Sequence, residues 1–184
     1  MTAPSLQERA ARVKLIVLDV DGVLTDGGLY YGPEGEALKR FDVKDGHAIV
    51  MARLTGLPCA VLTARRSKMV EVRGQELGLV AVKQGQRDKL AGLRALLEEL
   101  GVAPEAIAYM GDDVNDLGPL QTVGLPACPA DAAPEVRDTS LFVSSCPGGR
   151  GAVRELVELC LKASERWETA LSLCNPGVLR SPGG

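Results

Sequence analysis

Short apolar runs alternate with amphipathic helical stretches along most of this chain, and that alternation limits the folds open to it more than any other feature. The runs fall at residues 15–18, 58–62, 79–82 and 106–110, with fainter ones at 124–127 and 141–143. Each is too short for a helix and is bounded by turn formers, so each reads as a strand buried on both faces. Helical periodicity fills the gaps at 45–54, 67–77, 87–100 and 149–162. In the third of these, Leu90, Leu93, Leu97 and Leu100 form one stripe, and Gly101 stands where a left-handed cap belongs. Strand followed by helix, repeated, predicts an α/β fold with a Rossmann-like, doubly wound parallel sheet. One segment breaks the pattern. Residues 27–41 carry Leu29, Tyr30 and Tyr31, then Gly-Pro-Glu-Gly at 32–35, then Ala37, Leu38 and Phe41, which predicts an inserted β-hairpin.

A chain of 184 residues fits one domain. The expected division is an N-terminal extension over 1–12, a folded domain over 13–163, and a C-terminal tail over 164–184 whose Pro-, Gly- and Ser-rich end at 175–184 is expected to be disordered. The net charge is −3 with no basic stripe, which argues against nucleic acid as a partner, and no apolar run approaches the length of a membrane span. Residues 1–12 lack the pattern of a secretory signal, so the expected location is the cytoplasm. Five cysteines without a C-x-x-C pair read as reduced structural thiols.

The first run ends in Asp19-Val20-Asp21-Gly22-Val23-Leu24-Thr25, two carboxylates directly after a buried strand. A parallel sheet delivers the carboxyl ends of its strands to one edge, where open α/β folds place their ligands. Three other groups fall on that edge: Thr63 after the second run, Lys89 at the start of the helix after the third, and Gly111-Asp112-Asp113-Val114-Asn115-Asp116 after the fourth. Like carboxylates gathered around one lysine repel, and a hard divalent cation resolves the conflict. Magnesium suits the set, since it takes one or two carboxylates and leaves its other positions to water and a substrate phosphate. One aspartate can then attack phosphorus while Lys89 balances the phosphate charge and Thr63 donates to it.

With these motifs in order, the chain resembles the haloacid dehalogenase superfamily from Lys14 to about Lys162. The resemblance implies that Asp19 is the nucleophile forming an aspartyl-phosphate and that Asp21 is the acid and then the base. Crowding of Asp21 by other acids is the expected reason that it stays protonated for the first half of the cycle. It further implies a metal held by the Asp19 carboxylate, the Asp21 backbone carbonyl and the Asp112 carboxylate, with Asp113 and Asp116 orienting waters and Lys89. No segment is long enough for the cap domain that many members carry, so an uncapped site covered by another subunit is expected.

Among small uncapped members, the chain is most similar to the tetrameric phosphatases of keto-sugar acids, and above all to the 3-deoxy-D-manno-octulosonate 8-phosphate phosphatase family. The matching residues are Thr25-Asp26-Gly27, Phe41-Asp42-Val43-Lys44-Asp45-Gly46, Gln84-Gly85-Gln86, and Gly148-Gly149-Arg150-Gly151-Ala152-Val153-Arg154-Glu155. The resemblance implies substrate contacts from Asp42, Val43, Lys44, Asp45 and Gly46, from Arg65 and Arg73, and from Lys89. It also implies a homotetramer acting on a small phosphorylated sugar acid in lipopolysaccharide precursor synthesis. Arginine at both 65 and 150 favours the eight-carbon acid over a nine-carbon sialic-type 9-phosphate, the alternative substrate. A non-catalytic oligomerisation module is the alternative of another class. Ala64, where glycine is usual, and Val50, where some members have a basic residue, depart from the pattern. His47 is expected to cap or pack rather than to react.

Overall fold

The computed structural model describes residues 4–175. In chain order it contains α1 (Leu6–Ala11), β1 (Leu15–Leu18), β2 (Tyr30–Gly32), β3 (Gly35–Leu38), α2 (Val43–Leu54), β4 (Cys59–Leu62), α3 (Lys68–Leu77) and β5 (Ala81–Lys83). There follow α4 (Lys89–Leu100), β6 (Ile107–Met110), α5 (Leu117–Leu120), β7 (Leu125–Cys128), α6 (Pro134–Thr139), β8 (Phe142–Val143), α7 (Ala152–Ala163) and α8 (Trp167–Cys174). Six strands form one sheet in the order β5-β4-β1-β6-β7-β8, and every pairing is parallel. The hairpin β2–β3 is a separate two-stranded sheet.

Alternation along β1 shows why the sheet is covered twice. Leu15 and Val17 face a cluster with Leu93, Leu96 and Leu97 of α4 and Val136 of α6. Ile16 and Leu18 face the opposite cluster, built with Ile49 of α2 and Val153, Leu156 and Val157 of α7. A strand sandwiched in this way has no polar face, which is why its sequence is a plain apolar run. Leu18 is in register with Val61 of β4 and with Met110 of β6, so the residues that follow these strands leave the sheet on one edge.

Several expected boundaries move. The helix expected from residue 45 starts at Val43, because the Asp42 side chain accepts from Lys44 N at 2.7 Å and so caps it two residues earlier. The strand expected at 79–82 pairs at Ala81–Lys83. The stretch expected as a mere N-terminal extension holds α1, closed by a reciprocal capping box between Ser5 and Glu8, with Ala10 in the core. The stretch expected as a tail likewise holds α8, whose Ala170 is fully buried and whose Trp167 ring lies 4.7 Å from Lys162 Nζ and 5.7 Å from Arg154 Cζ. The remainder of that expected tail, 176–184, lies outside the described residues. No helix among the described residues is long and apolar enough to cross a membrane.

Candidate active site

Asp19 leaves β1 with its amide still bonded to Met110 O at 3.0 Å. The chain then folds back tightly: Thr25 N donates to Val20 O at 3.0 Å and Gly22 N to Thr25 Oγ1 at 3.3 Å. Gly22 adopts φ +85°, and a Cβ there would stand 2.0 Å from Asp112 Oδ2. Only glycine lets the loop carrying Asp21 meet the loop carrying Asp112. The turn is held from its other side by Gly149 N, which donates to Val23 O at 2.8 Å.

Thr63 follows β4 and is buried. Its carbonyl accepts from Gln86 N at 3.0 Å, and the Arg65 carbonyl accepts from Gly85 N at 3.2 Å, so the loop after β5 braces the loop after β4. Gln84 adds to this by capping α3, accepting from Ser67 N at 2.7 Å where the Ser67 side chain makes no cap of its own. Lys89, the first residue of α4, is 2% exposed and places Nζ 2.8 Å from Asp19 Oδ2 and 2.7 Å from Asp116 Oδ1. Asp116 Oδ1 also accepts from the Tyr109 hydroxyl, while Oδ2 accepts from the amides of Asp112 at 3.3 Å and Asp113 at 3.4 Å. The resulting pocket, about 270 Å³, is lined by Asp19, Asp21, Thr63, Arg65, Lys89 and Asp112 among others.

Burial dominates the electrostatics. Desolvation pushes the Asp19 carboxyl up to about 6 even though Lys89 pulls the other way. Asp112 is pushed up to about 7 by burial, reinforced by the charges of Asp19 and Asp116. For Lys89 burial works against the charge, yet Asp19 and Asp116 outweigh it and hold its pKa above the ordinary value. The Tyr109 phenol is raised well above its ordinary value, by burial first and then by Asp116, so it stays a donor.

Asp19, Asp112 and Asp116 each offer an oxygen within 4.8 Å of the others, a grouping that fits a cation. The hydrogen bonds separate their parts. Asp116 is already taken by Lys89, Tyr109 and two amides, whereas Asp19 Oδ1 is buried with no partner at all. An orphaned carboxylate oxygen beside a second carboxylate of raised pKa is what a hard divalent ion relieves, so Asp19 and Asp112 fit the group.

A model of the haloacid dehalogenase-like hydrolase family matches residues 59–154. The 3-deoxy-D-manno-octulosonate 8-phosphate phosphatase of Salmonella typhimurium is 43% identical over 168 residues, covering 91% of this chain and 89% of that protein. This chain belongs to that phosphatase family, within the haloacid dehalogenase-like hydrolases. The crystal structure of the Yersinia pestis family member superposes with a TM-score of 0.87 at 41% identity, over 91% of this chain and 90% of the other. The Moraxella catarrhalis member, in complex with a magnesium ion, a phosphate ion and a KDO molecule, gives a TM-score of 0.88 at 36% identity, over 92% of this chain and 97% of the other.

Within this member of the phosphatase family, Asp19, Asp21, Thr63, Arg65, Lys89, Asp112 and Asp113 line the pocket, Asp116 lies against Lys89 at its base, and residues 42–46 and Arg73 lie elsewhere. Two cations lie against the Asp21 carboxylate: Lys39 Nζ is bonded to its Oδ1 and Arg65 Nε lies 3.8 Å from its Oδ2. Asp113 is exposed and caps the short helical turn at 114–116, accepting from Val114 N at 2.7 Å, and it is Asp116 that orients Lys89. Asp42 caps α2, Val43 and Lys44 are exposed, and Gly46 packs on the Arg73 guanidinium. Asp45 is buried, with its oxygens taken by Gly151 N at 3.1 Å and Arg154 N at 2.8 Å, so it serves as the N-terminal cap of α7. None of residues 42–46 lines this pocket. Arg73 pairs with Glu76 at 2.8 Å in a separate groove that also includes Phe41, Val43 and Val72.

Sequence reasoning missed Tyr109 and Lys39. Tyr109 carried a signal, because a tyrosine inside an otherwise aliphatic buried run needs a partner for its hydroxyl. Lys39 carried none, since it follows a strand in a stretch of mixed polarity and its burial depends on where the hairpin folds.

Proposed function

We propose that this protein is a magnesium-dependent phosphatase that converts 3-deoxy-D-manno-octulosonate 8-phosphate to the free sugar acid and inorganic phosphate, in the cytoplasmic supply of lipopolysaccharide precursors. The observation that carries the reading is the unpartnered, buried Oδ1 of Asp19 beside Lys89 and Asp112 at the end of β1. A carboxylate left in that state costs free energy that a scaffold has no reason to spend.

In this reading an Asp19 oxygen attacks phosphorus and the ester bond to the sugar oxygen breaks. Asp21 gives its proton to that oxygen, so a neutral alcohol departs. Asp21, now a carboxylate, takes a proton from water as the water oxygen attacks phosphorus and the Asp19–phosphorus bond breaks. Asp21 is thereby protonated again for the next ester. Lys89 and Thr63 hold the phosphate, Lys89 supplying charge and Thr63 a hydroxyl donor. Asp19 and Asp112 would hold the magnesium ion, with the Asp21 backbone carbonyl as a further ligand. When bound, the ion neutralises the phosphate and lets an anionic nucleophile approach it.

Arg65, on the pocket wall, is suited to the sugar-acid carboxylate through paired hydrogen bonds. The hairpin exposes Leu29, Tyr31 and Leu38, and Val43 and Val72 are exposed along the groove holding Arg73. A homotetramer that covers these apolar surfaces and brings a neighbour's Arg73 to the pocket accounts for both. The test is a panel of sugar phosphates assayed with and without magnesium for released phosphate. The eight-carbon ester is expected to lead; a clear preference for a nine-carbon ester would transfer the chemistry to that substrate, and no release from any ester would leave a structural module.

A further inference from the structure

Among the described residues, two lysines are buried against aspartates of the pocket, and the proposed chemistry uses one of them. Lys89 sits on Asp19. Lys39 sits on Asp21, with its side chain 1% exposed, and its ammonium also lies 3.1 Å from Glu36 Oε1. Lys39 directly follows β3, Glu36 lies on β3, and Tyr31, whose hydroxyl is 3.2 Å from Arg65 Nη2, lies on β2. The hairpin therefore supplies the groups that hold both Asp21 and Arg65.

Burying an ammonium is costly, and tying a hairpin to a sheet does not require that it end on a pocket carboxylate. Among the described residues, Lys39 is the one hydrogen-bond donor to the Asp21 carboxylate; no backbone amide reaches it. Arg65, at 3.8 Å, is the looser neighbour and the group that the substrate carboxylate would engage. Once a substrate is bound, Lys39 is what still fixes the Asp21 side chain.

We infer that Lys39 is a positioning residue: delivered by the hairpin, its ammonium holds the Asp21 carboxyl in the orientation that passes a proton to the departing sugar oxygen and takes one from the attacking water. The inference rests on the phosphatase reading. It also makes the hairpin part of the catalytic apparatus and not only a flap over it. Misplacing a proton donor by about 1 Å costs on the order of a hundredfold in rate, so a buried clamp on that one side chain is worth its desolvation.

The test uses the full chain with magnesium, the variants Lys39→Met and Lys39→Arg, and two esters, the eight-carbon sugar-acid phosphate and p-nitrophenyl phosphate. Nitrophenolate leaves without needing a proton, whereas a sugar alkoxide does not. For Lys39→Met, kcat on the sugar ester should fall about a hundredfold while KM moves less than about threefold. The first turnover of nitrophenolate should slow by less than about threefold, and later turnovers should fall with kcat, because water activation still needs Asp21. Lys39→Arg should regain part of the loss. A kcat within about threefold of the parent, or a first nitrophenolate turnover that falls as steeply as the sugar ester, would overturn the inference. Should Lys39→Met fail to fold, the same rates are read on Lys39→Met combined with Glu36→Gln, which removes the carboxylate left facing it. A parent protein that cleaves p-nitrophenyl phosphate but not the sugar ester disproves the substrate and leaves Lys39 to be judged by the nitrophenolate burst. One that cleaves neither disproves the phosphatase reading itself.

Discussion

Lys89 Nζ lies 2.8 Å from Asp19 Oδ2, and both side chains are almost sealed from water. With Asp116 on its other side, one buried ammonium serves two carboxylates. Replacing it by Lys89→Met leaves those two carboxylates facing each other with no cation between them. The expected cost is about 3–5 kcal/mol of unfolding free energy, read by urea denaturation of the metal-free protein, together with loss of phosphate release by at least about a hundredfold.

The raised carboxyls set a pH dependence. Asp19 at about 6 and Asp112 at about 7 bind protons more tightly folded than unfolded, where the ordinary value is 3.8. Their contribution is fully present below that ordinary value and is lost as pH rises through 6 and 7. Metal-free protein should therefore be less stable at pH 8 than at pH 5, by on the order of 4 kcal/mol from these two groups. Magnesium, which competes with those protons, should raise the melting temperature more at pH 8 than at pH 5. An equal rise at both values would show that these carboxyls do not bind the ion.

Gly22→Ala tests the close approach of the two acidic loops. The new methyl would meet Asp112 Oδ2 at 2.0 Å in a backbone conformation that disfavours side chains. One of the loops must retreat, so kcat should fall at least tenfold, with roughly 1–2 kcal/mol lost in stability. Kinetics and thermal melts on the same preparation separate the two effects.

Asp45→Ala removes the acceptor for Gly151 N and Arg154 N. The expected result is about 2 kcal/mol of destabilisation with KM for the sugar ester nearly unchanged, as for a lost helix cap with a buried donor left over. A large rise in KM with stability intact would instead return Asp45 to the substrate.

Arg65→Glu inverts the charge on the pocket wall. KM for the eight-carbon ester should rise at least tenfold, since a carboxylate would lose a charge-assisted pair. Magnesium affinity, measured by calorimetry, should change little, because Arg65 lies beside Asp21 and not among the carboxylates suited to the ion.

The parts legible in the sequence are those whose causes are local. β1, β4 and β6 are apolar because both their faces are covered, and each is followed within two residues by a pocket residue, so the run and the motif announce each other. α4 shows itself by its leucine stripe and by Gly101, which adopts the left-handed cap expected of it. What was not legible depends on partners far along the chain. Asp45 looks like an acid in the first turn of its own helix, yet it caps another helix 106 and 109 residues away. Asp21 looks crowded by Asp19 and Asp112, yet it is also gripped by a hairpin lysine and approached by Arg65 from the loop after β4. α1 and α8 are short, and they join the core through the buried Ala10 and Ala170, with Leu6, Trp167 and Leu171 packed alongside.

The central place of β1 also dates the site during synthesis. Asp19 and Asp21 emerge early, but the strand that carries Asp112 to their side is β6, which begins at Ile107 and pairs directly with β1. Until that distant strand closes the ladder, the acids that would share an ion are held apart, and such long-range parallel pairing is slow to form. Ion binding in the native geometry therefore becomes available only as the middle of the sheet is completed.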